Sequence, residues 1–323
     1  MEYHNQQNNQ ENKIELVSRL PAAIIVASLI VAGALLMRSE DDQRSITQIS
    51  KSEIERSDLE ETVLPSKGIL LPVTWKDLGV KLVSVGVINA KKMMEIQASK
   101  GVITTEDENL LYSENNGQLT ITEKNAPYLL NMLWALGLAS KNPILDTGEI
   151  TNPAYGGQHR FASTAGWTIA DGNPMDHYSR HRFFNLTSEQ QILVEKVSRG
   201  IYRPCCSNSA HFPDCNHGMA MLGLLELMAS QGVGEQDMWK AALAVNSYWF
   251  PEAYVAIASV LQDKGIAWRD MSPIDILGYD YSSASGFSRI MSQTIQTEKK
   301  GSNVNCTVSG ASEVKRGPSG CGV

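Results

Sequence analysis

The chain has no basic excess and few aromatic side chains. Its 28 Lys and Arg residues face 35 Asp and Glu, a net charge of −7, and Phe, Trp and Tyr make up only 7% of 323 residues. A nucleic-acid binder shows a clustered basic footprint and a single-strand binder a row of stacking aromatics; neither class fits, so no nucleic-acid partner is expected. Signatures of nucleotide and hydrolase chemistry are missing as well. There is no Gly-x-x-x-x-Gly-Lys phosphate loop, no Gly-x-Gly-x-x-Gly fingerprint and no Gly-x-Ser-x-Gly elbow. Cys-x-x-Cys is absent, which argues against a thioredoxin-like redox centre and a c-type haem. No repeat and no βαβ alternation is visible, so a doubly wound parallel sheet is not expected.

What is present is ordinary globular composition, 42% apolar and 20% charged. Near the start, the eighteen residues Leu20 to Met37 carry no charge and are bounded by Arg19 and Arg38. As a helix they would span about 27 Å, enough for a bilayer core. Pro21 sits at the first helical position, where a missing N–H costs nothing. The rival reading is a cleaved signal peptide ending near Ala32-Gly33-Ala34. Its basic leader is missing, because Glu2, Glu11 and Glu15 lie in the preceding nineteen residues. A single retained signal-anchor is therefore expected over 20–37, after a polar tail over 1–19. Flanking cations alone favour a cytoplasmic C-terminus, yet long domains translocate largely regardless of charge. An extracytoplasmic body is the expectation. Ala23 with Ala27 and Ser28 with Ala32 have the small-xxx-small spacing that pairs helices, a route to a homo-oligomer through the anchor.

Residues 38–66 read as a charged, solvated linker, and 293–323 as a flexible tail with five glycines and two cysteines, Cys306 and Cys321. Between them, 67–292 is long enough to bury a full core. Apolar spacing and capping signals predict an all-α body, a compact helical domain with a long loop bearing Cys and His. Helices are expected over 75–85 and 89–98, broken at Gly86, and over 105–112, with a brief extended piece at 119–122. A strongly apolar central helix is expected over 123–139. Residues 152–174 are irregular. Thr187-Ser-Glu-Gln190 is a capping box opening a helix to about Ile201, and helices over 217–230, 235–249 and 252–264 complete the set.

Reactive side chains concentrate in one place. Within the thirteen residues 205–217 fall Cys205, Cys206 and Cys215 of the five cysteines, and His211 and His217 of the six histidines. Prolines, asparagines and serines make this stretch a loop ahead of an apolar helix. Asp214 or Asn216 is the expected N-cap, with the helix N-terminus pointing out of the core, where its dipole favours thiolate. Cys205, Cys206, Cys215 and His217 offer a Cys₃His set for zinc, or a trigonal set for copper, with His211 as a substitute ligand. Two further readings stay open: a structural disulfide such as Cys206–Cys215, and thiol redox exchange. A second candidate is Asp176-His177-Tyr-Ser-Arg-His181, where a helix would bring His177 and His181 onto one face at i, i+4. No catalytic residue is assigned, and enzymatic activity is left open.

Overall fold

Twelve of the fourteen residues of one helix, Ala126–Ala139, are buried at the centre of the larger core. The structure is a computed structural model that describes residues 56–101 and 103–301. Packing divides the chain at Asp58/Leu59, and the unit from Leu59 onward holds the helices and strands of the body. In chain order the helical residues 59–63 (α1) precede β1 (Ile69–Lys76), α2 (Leu78–Ser84), α3 (Ala90–Lys100), α4 (Thr105–Tyr112), β2 (Asn116–Ile121) and α5 (Ala126–Ala139). Short helices α6 (Pro143–Asp146) and α7 (Ala162–Ala165) lie among 3-10 turns. Then come α8 (Ser188–Gly200), α9 (Asn216–Ser230), α10 (Glu235–Trp249), α11 (Pro251–Asp263), α12 (Pro273–Leu277), α13 (Tyr279–Ser282) and α14 (Ala284–Gly301).

The body is mostly helical, as the apolar spacing implied. It is not all-α, because β1 and β2 form a two-stranded antiparallel sheet. Residues around Trp75, expected to open a helix, belong to β1, whose Leu71, Val73 and Trp75 point inward at period two. Pro72 has no N–H to give the ladder, and the pairing shifts register between Leu70 and Thr74. The Gln231 amide fills in beside the irregularity: its Oε1 accepts from Thr74 N at 2.9 Å and its Nε2 donates to Thr74 O at 2.7 Å.

The predicted capping signals appear as hydrogen bonds. Thr104 and Asp107 close a capping box on α4, and Thr187 and Gln190 do the same on α8. α5 and α9 cross so closely that a Cβ on Gly137 or Gly223 would collide with the opposite backbone; both positions require glycine. A smaller core joins Val63, Tyr254, Ile257, Leu261, Ile276 and Ile290. Val63, ahead of the expected 67–292, joins this smaller core, and the backbone of α14 is helical to Gly301. The expected span over 20–37, the tail over 1–19 and Cys306 and Cys321 all lie outside the described residues. Among the described residues no helix is long and apolar enough to cross a membrane.

Candidate metal centre

The connection from α8 to α9 turns sharply at its first residues. Cys206 N donates to Arg203 O at 3.2 Å, a closure that brings the Cys205 and Cys206 sulfurs to 3.9 Å from each other. The far end of the connection returns to the same spot. Cys215 Sγ lies 3.8 Å from Cys205 Sγ and 3.9 Å from Cys206 Sγ, so three free thiols form a nearly equilateral triangle. A disulfide needs about 2.05 Å between sulfurs, and no pair of the three is bonded.

Cys215 itself caps α9, its sulfur accepting from Gly218 N at 3.4 Å. Neither Asp214 nor Asn216 takes that role. Nor does the helix N-terminus face outward: Cys215 and Asn216 are each 6% exposed, roofed by the loop. Five backbone bonds pin this roof. Ala210 N and His211 N donate to Ile201 O and Ser198 O, Ser163 N to Asp214 O, Ala284 N to Cys206 O, and Tyr202 N to Leu277 O.

Under the sulfurs lies Arg203, fully buried. Its Nη2 donates to Cys215 Sγ at 3.3 Å and to Asp214 Oδ1 at 3.2 Å, and its Nη1 donates to Asn208 O at 3.0 Å. Gly218 makes room for it, since a Cβ there would stand 2.6 Å from Nη2. Burial opposes the guanidinium charge, but Cys215, Cys206, Cys205 and Asp214 more than offset it and hold Arg203 protonated. Hydrogen bonds from Cys205 and Cys206, then Arg203, drive the Cys215 thiol well below its ordinary range despite burial. Hydrogen bonds to Cys206 and Cys215 push the Cys205 thiol the other way, up. The triangle therefore holds one ready thiolate beside a fixed cation.

His217 stands next to it. One of its ring nitrogens lies within 4.8 Å of the Cys205 and Cys215 sulfurs, as Asp214 does for Cys206 and Cys215. The ring packs 4.4 Å from Phe250 and 5.7 Å from Trp249, and its Nδ1 is buried with no hydrogen-bond partner among the described residues. Burial takes its pKa down to about 4, so the imidazole is neutral, the form that ligates metals.

The other candidates stay apart. His211 is 8% exposed and joins neither ligand-spaced group. His177 and His181 do not share a helix face, because Ser179 between them turns to φ 49°. Their rings stack at 5.6 Å instead, with His177 Nδ1 3.3 Å from His181 Nε2. His177 Nε2 lies 3.0 Å from the Asp171 carbonyl, which can only accept. Neither histidine falls in a ligand-spaced group of three among the described residues.

Two residues of consequence carry little signal in the sequence. For Arg203 the only hint is an arginine two residues before paired cysteines. For Glu226 it is a lone acid in an otherwise apolar helix.

These contacts define the class of site: a Cys/His/Asp group compatible with a metal ion, set in a helical scaffold. Compared with family models, characterised proteins and solved structures, the chain matches none.

Proposed function

We propose that the protein binds one zinc ion through Cys205, Cys206, Cys215 and His217. The sulfur triangle carries this reading. Tetrahedral zinc with bonds of about 2.3 Å holds its sulfurs about 3.8 Å apart, and the three sulfurs stand at 3.8 to 3.9 Å. Trigonal copper(I) would accept nearly the same triangle, so charge decides. Three thiolates and Asp214 against one Arg203 sum to −3; zinc leaves −1 where copper(I) would leave −2. In a buried site the smaller residue of charge is favoured. Three thiolates and an imidazole also close the shell, which fits a structural or sequestering ion better than a catalytic one. The ion would clamp the α8–α9 connection to the start of α14, through Cys206 O and Ala284 N.

Elemental analysis of purified full-length protein tests this, with free thiols counted beside it. One zinc per chain is expected. Stoichiometric copper would overturn the metal assignment, and no metal with Cys215 found in a disulfide would replace the reading by a stapled interaction module.

We also place the body outside the cytoplasm on the anchor over 20–37. Support for the anchor comes from the uncharged stretch and its acidic leader, and for the orientation from the translocation of long domains largely regardless of flanking charge. Ligation would then protect three adjacent thiols from the oxidation such a compartment promotes. Protease added to intact cells is expected to digest the body and leave a membrane-bound stub; a body protected until lysis would reverse the orientation.

A further inference from the structure

Arg203 is fully buried, while the side chain of its ion-pair partner Asp214 is 21% exposed. Desolvating a charge can outweigh what such a pair returns, so stability alone does not account for the arginine. Its fork is spent on the cysteine cluster. Nη2 bridges Cys215 Sγ and Asp214 Oδ1, and Nη1 reaches Asn208 O on the loop that follows Cys206. The cradle is shaped for that fork: a Cβ on Gly218 would stand 2.6 Å from Nη2 and 2.9 Å from Cζ.

Two side chains compete for the fourth position beside the three sulfurs. His217 is ligand-spaced to Cys205 and Cys215, and Asp214 to Cys206 and Cys215. They differ in what else they bind. Asp214 Oδ1 accepts from Arg203, and its Oδ2 accepts from Asn208 Nδ2 at 2.9 Å, so both oxygens are committed. His217 Nδ1 is buried and has no partner among the described residues. A hydrogen-bonded carboxylate keeps lone pairs for a metal. Here, however, an ion would have to draw it from a guanidinium that holds Cys215 through the same nitrogen. His217 gives up nothing by ligating.

Ligand type decides which ions are held. Thiolates with an imidazole suit zinc and other soft or borderline ions, whereas a carboxylate moves a site toward manganese and magnesium.

We propose, resting on the zinc assignment above, that Arg203 is the positioning residue that sets the selectivity of this centre. It holds Asp214 away from the ion, so that the ligands are three sulfurs and the His217 nitrogen. A vacancy among the sulfurs, as in Cys205→Ser, is the case in which Asp214 leaves Arg203 for the ion, at the cost of both its hydrogen bonds.

Cobalt(II) tests this on the full-length protein, because its sulfur charge-transfer and ligand-field bands report the ligand set. Wild type is expected to give the tetrahedral spectrum of three sulfurs and one nitrogen, and Asp214→Asn should leave it unchanged. Arg203→Met should release Asp214, move the ligand-field bands toward those of an oxygen ligand, and cut the preference for zinc over manganese about tenfold. Losing the arginine charge strengthens binding of both divalent cations, so the ratio is read rather than either affinity. Arg203→Met combined with Asp214→Asn should recover the wild-type bands, which mere damage to the loop would not. If Arg203→Met fails to fold, Arg203→Lys, with one ammonium in place of the fork, should show the same shift at smaller amplitude. Three results would overturn the proposal and leave the zinc assignment standing: no shift in the Arg203 variants, a shift that the double variant does not reverse, or a changed spectrum in Asp214→Asn. No cobalt binding by wild type would overturn both.

Discussion

Cys215→Ser is expected to release the metal, while Cys205→Ser and Cys206→Ser are expected only to weaken its binding. Cys215 belongs to both ligand-spaced groups, Cys205–Cys215–His217 and Cys206–Asp214–Cys215; each of the others belongs to one. Removing Cys205 leaves the second group intact, and removing Cys206 leaves the first. Without Cys215 neither survives, and Arg203 loses its sulfur partner as well. A structural zinc site binds with about 10–16 kcal/mol. Shared over four ligands, that is about 3 kcal/mol each, or roughly a hundredfold in affinity. Loss of the shared vertex should exceed this, reaching about a thousandfold or more by the same conversion. Chelator competition on the four proteins measures the order. A second readout separates metal from packing: chelator should lower the unfolding temperature of wild type and leave that of Cys215→Ser unchanged. Cys306→Ser and Cys321→Ser should bind zinc as wild type does. Retention of stoichiometric zinc by Cys215→Ser would sink the assignment.

The helices were legible because their signals are local. Capping boxes at Thr104 and Thr187 and the apolar run of α5 need nothing beyond neighbouring residues. β1 was not legible. Ile69-Leu-Leu-Pro-Val-Thr-Trp is apolar on both faces of a strand, so period two hides in the composition, and its pairing with β2 joins residues far apart in the chain, Ile69 with Ile121. The cysteine cluster was visible as ligand density; the structure sets the three sulfurs 3.8 to 3.9 Å apart, with His217 ligand-spaced to Cys205 and Cys215. Which histidine joins depends on how the loop is pinned. His217 is carried on the first turn of α9 beside Cys215, whereas the backbone of His211 is tied to Ser198 on α8. The expected His177–His181 face failed for a backbone reason, the positive φ at Ser179. Arg203 and Glu226 are harder still. Their importance comes from burial, and burial is a property of the whole fold.

Glu226 makes the fold sensitive to pH in a direction opposite to most carboxylates. Its pKa stands at about 8 in the folded protein against an ordinary 4.5, raised by burial. Between those values the native protein keeps a proton that the unfolded chain has released. The unfolded state binds fewer protons there, so stability falls as pH rises from about 5 to 8 and levels off above. At about 1.4 kcal/mol per unit, the full shift corresponds to an upper bound on the order of 5 kcal/mol. Glu226→Gln preserves the volume and the acceptor for Asn142 but cannot ionise. Urea unfolding of the two proteins should therefore agree closely at about pH 5 and diverge by about pH 9, with the variant more stable by up to several kcal/mol. Other titrating groups are common to both proteins and cancel in the difference. Parallel profiles for wild type and variant would mean that Glu226 is ionised in the native protein.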